Sequence, residues 1–95
     1  ELIIPLNEAW PLIRSSVIDL DNTHIEHEYS GYIYAKSYTP VFNFLDFFEV
    51  LAVPESNRLS VRSSSLLGLS DLFVNYLRAE RFREALEKKG VIKIL

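Results

Sequence analysis

The eight residues Asp46 to Val53, D-F-F-E-V-L-A-V, carry bulky apolar side chains on both sides of an extended strand. Successive side chains of a strand point to opposite faces. Phe47, Leu51 and Val53 therefore share one side, and Phe48, Val50 and Ala52 the other. Such a strand is either central in a sheet or has its second face closed by a partner. Pro54-Glu55-Ser56-Asn57 supplies a hairpin turn. The chain then returns in alternation from Arg58 to Ser64, with Leu59 and Val61 inward and Arg58, Ser60 and Arg62 outward.

The flanking segments complete an α+β pattern. Asn7 to Ile13 reads as a short helix capped by Asn7, and Pro11 pins its start nearby. Val17 to Leu20 reads as a short strand, and Asp21-Asn22 as a turn. From His24 the period is two: Ile25, His27, Tyr29 and Ile33 on one face, Glu26, Glu28, Ser30, Tyr32 and Tyr34 on the other. Gly31 marks a bulge or a close approach, and Thr39-Pro40 lies in the next connection. The last helix runs from about Leu72 or Val74 to Lys89, with Leu72, Asn75, Ala79, Phe82, Ala85 and Leu86 along one side. Glu84 and Lys88 suit an i,i+4 pair, and Lys88-Lys89-Gly90 is a stop signal. The tail Val91-Ile92-Lys93-Ile94-Leu95 is too apolar to hang free. It docks on the domain, adds an edge strand or meets a neighbour. The expected fold is a two-layer α+β domain spanning residues 1–95. It combines a three- to four-stranded antiparallel sheet with a short N-terminal helix and a long C-terminal one.

Composition removes several functions. The chain has no cysteine, hence no disulfide, thiolate nucleophile or thiolate metal site. A formal charge of -3 argues against a non-specific nucleic-acid binder. Every apolar run is far shorter than the roughly 18 to 20 residues that span a bilayer, so no transmembrane segment is expected. No signal-peptide pattern opens the chain, and Glu1 in place of methionine suggests a processed or truncated domain.

Catalytic constellations are thin. On a regular strand, His24 and His27 fall on opposite faces, which separates them as a metal pair. Glu26 and Glu28 share a face but read as solvent contacts before they read as an acid and base. No histidine follows His27 to activate a serine, and the nucleophile-elbow spacing is absent. Gly68-Leu69-Ser70-Asp71 lacks the glycines and lysine of a phosphate loop. Tyr29, Tyr32, Tyr34 and Tyr38 follow an acidic strand, where a nucleic-acid platform would need a positive groove, so packing or an interface is the better account. No catalytic residue, metal ligand or cofactor is assigned.

The densest polar stretch is Arg62 to Arg78, R-S-S-S-L-L-G-L-S-D-L-F-V-N-Y-L-R, where a strand passes through a loop into the last helix. Its order, Val61-Arg62-Ser63-Ser64-Ser65 through Gly68-x-Ser70-Asp71-x-x-Val74-Asn75-x-x-Arg78, resembles that of the DUF1499 family, proteins of unknown function from bacteria and photosynthetic eukaryotes. The resemblance is ordered over the 17 residues from Arg62 to Arg78. It extends more weakly through Tyr29-Ser30 and Asp46-Phe47-Phe48-Glu49. Where the family usually has a second arginine this chain has Leu66, and Phe73 replaces a glycine. Leu45 stands before Asp46 in place of a paired aspartate, and the family's cysteine-bearing N-terminal segment is missing. The family supplies no reaction.

Three functions fit these residues. The first is a non-enzymatic structural or assembly subunit that meets other protein subunits through Leu66, Leu67, Leu69, Phe73, Ile92, Ile94 and Leu95. The resemblance implies a chloroplast, photosynthetic or bacterial extracytoplasmic setting, with peripheral association to a membrane complex. The second is a binding module holding a small polar or anionic ligand with Arg62, Ser63, Ser65, Ser70 and Asn75. Against it stands a structural reading, in which Asp71 caps the last helix. Asn75 and Arg78, three apart on one helix face, then reach back to the loop of Ser63 to Gly68, so that Gly68, Asp71, Asn75 and Arg78 form the structural loop and cap. The third is a carboxylate-dependent enzyme using Glu26, Glu28 or Asp46 near the serine-rich loop.

Overall fold

The computed structural model of the protein describes residues 1–39, 45–65 and 72–93. The elements are α1 (Leu6–Ile18), β1 (Thr23–Tyr29), β2 (Tyr32–Tyr38), β3 (Leu45–Val53), β4 (Arg58–Ser65) and α2 (Leu72–Lys88). The strands make one antiparallel meander in the order β1-β2-β3-β4. This is the α+β arrangement expected from the sequence. Both helices cover the same side of the sheet. Ala9, Ile13 and Val17 of α1 and Phe82 and Leu86 of α2 meet Ile33, Ala35, Phe48 and Val50 in one core. Phe48 and Phe82 pack edge to face at 5.2 Å.

α1 is longer than its sequence suggests. It begins after Pro5, without a side-chain cap from Asn7, and continues through Val17, which was expected to start a strand. The reason is periodic: Ala9, Ile13 and Val17 are four residues apart and all fully buried, so the core selects helix over β-branched preference. Pro11 lies inside the helix. Its missing N–H strips the Asn7 carbonyl of its intrahelical donor, which exposure of both residues makes tolerable.

β1 departs from simple alternation. Its pairing with β2 shifts between Ile25 and His27, so Ile25 lies opposite Ala35 while His27 lies opposite Tyr34. Glu26 is the extra residue of this bulge. Ile25 stays on the helix side, whereas His27 and Tyr29 are carried to the open side, contrary to the face expected for them. Gly31, expected at a bulge or a close approach, turns the β1–β2 hairpin with φ +80° and accepts a hydrogen bond from Ala52 N–H at 2.7 Å.

The 3₁₀ turn Pro54–Ser56 ends on Asn57 in the left-handed region, forming the expected hairpin. α2 ends as anticipated at Gly90, with φ +76°. Gly90 N–H bonds to Glu87 C=O and Val91 N–H to Leu86 C=O, the paired bonds of a Schellman stop. Glu84 and Lys88 form no ion pair; Arg83 and Glu80 do, at 3.4 Å. Beyond the stop, Val91 is fully buried and Ile92 bridges antiparallel to Leu2. Of the three fates open to the tail, the described part docks on its own domain, and Ile92 packs against the core there.

Candidate functional site

The described polar side chains of the Arg62–Arg78 stretch divide between the two faces of the sheet. β4 runs one residue past its expected end, through Ser65, which pairs with Asp46. Ser63 consequently faces the helices and Arg62 faces away, exposed opposite Glu49. On the helix side Ser63 Oγ donates to Asn75 Oδ1 at 2.5 Å. Arg78 Nη1 donates to the same oxygen at 3.0 Å and to Asp46 Oδ2 at 3.1 Å. Asp46 is 2% and Arg78 7% exposed. A buried charge requires a partner, and no buried side-chain nitrogen or oxygen among the described residues lacks one. Arg62 therefore does not join Ser63 and Asn75 in one binding site. Leu66, Leu67, Gly68, Leu69, Ser70, Asp71, Ile94 and Leu95 lie outside the described residues, as do the side chains of Ser65 and Phe73.

The carboxylates proposed for acid–base work are also dispersed. Glu28 turns toward α1, accepting from Arg14 Nε at 2.7 Å and Trp10 Nε1 at 3.2 Å. Glu26 turns to the open face, where it meets His24 Nε2 at 3.0 Å and Lys36 Nζ at 3.8 Å. These contacts, the His24 hydrogen bond foremost, hold its carboxyl below the usual glutamate range. Asp46 is committed to Arg78. The bulge brings His24 and His27 to one face, against expectation, but no cluster of three or more metal-ligating side chains occurs among the described residues.

The open face of the sheet carries an aromatic ladder. Tyr32, Tyr29, His27, Tyr34 and Phe47 follow one another with ring centroids 5.8 to 6.3 Å apart, and His24 stacks on Tyr38 at 6.1 Å. Tyr32 Oη donates to Glu49 Oε2 at 2.7 Å. That bond, aided by desolvation, pushes the phenol up to about 12. No described element covers the ladder: Tyr29 is 64% and Leu51 48% exposed. Along the β4 edge Arg58 and Arg62 share this face, and among the described residues neither has an ion-pair partner.

A cleft of about 400 Å³ opens where the α1–β1 turn, the end of β2 and the first turns of α2 converge. It is lined by Leu20, Asp21, Asn22, Tyr38, Val74, Leu77, Arg78 and Arg81. A family model described as a protein of unknown function, DUF1499, matches residues 5–86. The chain belongs to the DUF1499 family. No curated protein and no solved structure matches it.

The match spans α1, the whole sheet and most of α2, so the DUF1499 unit contains both the buried Asp46–Arg78 pair and the open face. Sequence spacing alone pointed to Asn75 and Arg78, one helical turn apart. It did not point to Arg81 or Tyr38, although Arg78 and Arg81 again stand three apart on one helix face. The ladder was hidden by the bulge, because strict alternation sends His27 and Tyr29 to the wrong side.

Proposed function

We propose that this domain is a non-enzymatic protein-interaction or assembly module that docks through the open face of its sheet. The observation that supports it is the uncovered aromatic ladder, continued by Leu51 on β3. Apolar surface of this continuity on one side of a sheet is unusual unless something covers it. The face consists of four strands about 4.8 Å apart and about seven residues long at about 3.3 Å each, roughly 450 Å². A stable complex buries about 800 Å² per partner, so the partner also reaches past the β4 edge. There Arg58 and Arg62 await carboxylates, whereas Glu26 and Glu49 are already engaged. A second copy meeting it through the same sheet face would bring Glu26 and Glu49, both already bonded. The occupant is thus a different protein, apolar where it meets the ladder and acidic beside β4. No helix among the described residues is long and apolar enough to cross a membrane, and the chain's resemblance to a family of bacteria and photosynthetic eukaryotes makes a membrane-peripheral complex the first place to seek that partner.

Photocrosslinking residues placed at Tyr29 and Leu51, with a control at Glu87 on α2, test this in the native host. A defined adduct is expected from the first two alone, lost when Arg58 and Arg62 are both changed to Glu. An adduct equally strong from Glu87, or only free monomer, would refute the module.

A further inference from the structure

We infer that the cleft between the α1–β1 turn and α2 is a binding site for a small organic monoanion, a carboxylate on an apolar body. The site is separate from the docking face and its test stands apart from that proposal. Its volume of about 400 Å³ falls in the range of small-molecule pockets, about 300 to 1,000 Å³. Leu20, Val74 and Leu77 supply apolar walls, and Tyr38 at the end of β2 closes one side.

Charge selects the ligand. Arg81 is exposed on α2 and has no ion-pair partner among the described residues. Arg78, one turn earlier, lines the cleft although it is only 7% exposed. Both of its side-chain bonds leave from Nη1, and Nε and Nη2 have no partner among the described residues. Since no described buried nitrogen is left unpaired, these two keep access to the cleft. Asp46 and Asn75 fix the orientation of the guanidinium, so its free edge is presented without further ordering. A planar carboxylate suits such a fork. Asp21 on the rim disfavours a second negative charge, which argues against a phosphate dianion.

Backbone-amide NMR titration of the folded chain with 2-naphthoate, its neutral counterpart 2-naphthamide and inorganic phosphate tests the inference. Naphthoate is expected to shift Leu20, Val74 and Leu77 saturably, with naphthamide and phosphate much weaker. Arg81→Ala, an exposed change that spares the core, should weaken naphthoate roughly ten- to hundredfold, as loss of a charge-assisted bond does. Tyr38→Phe serves as a second variant, retaining the aromatic wall and most of the affinity. Equal binding of naphthoate and naphthamide overturns the inference. So does full affinity in Arg81→Ala, or the absence of saturable shifts at these residues.

Discussion

Asp46 and Arg78 hold opposite charges where neither would be tolerated alone. Breaking such a buried pair from one side strands the other ion and costs about 3–5 kcal/mol. Asp46→Ala should therefore lower the urea unfolding free energy by that much, whereas Ser63→Ala, which removes one hydrogen bond to Asn75, should cost about 1 kcal/mol. Tyr32 offers a second check. Its phenol ordinarily ionises near 10 and is held up to about 12 by Glu49 and desolvation. The folded state thus keeps the proton after the unfolded chain has released it. The stability from this contact is whole below pH 10 and is lost as pH rises toward 12. Ultraviolet difference titration should show one of the five tyrosines ionising late, and Tyr32→Phe should abolish that phase. The spacing of Asn75 and Arg78 made them legible as inward partners. Asp46 was not legible as the counter-ion, because it lies 32 residues away and only the β3 register brings it under α2.

At the scale of elements, the strands and the C-terminal stop were written plainly in alternation and in Gly90. Two features were not. The core periodicity of Ala9, Ile13 and Val17 extends α1 where β-branched residues imitate a strand. The bulge at Glu26 inverts the faces of everything after it in β1, since a slip of one residue exchanges the two sides. This inversion is what delivers Glu28 to α1, where Trp10 and Arg14 hold it. Exposed pairs of this kind contribute about 0.2–1 kcal/mol. Glu28→Ala should therefore cost about 1 kcal/mol or less while changing the fluorescence of Trp10, the sole tryptophan. An unchanged spectrum would mean that the α1–β1 contact is not maintained in solution.

At the scale of the whole molecule, one side of the sheet is closed by helices and no described element covers the other, while β3, whose two-sided apolar character suggested a central strand, lies between β2 and β4. The ends of the chain contribute to the closed side. Lys89 Nζ reaches Ser15, Ser16 and Asp19 at the end of α1, and Val91 fills the core behind it. Ending the chain at Gly90 should cost about 1.5–3 kcal/mol for the buried valine alone, measurable as a lowered unfolding midpoint. The bridge between Leu2 and Ile92 carries a topological consequence. Residues paired across an antiparallel bridge are only about 5 Å apart, so a linker of a few residues would close the backbone into a circle. The cut in that circle is then movable, for example to the exposed hairpin at Ser30.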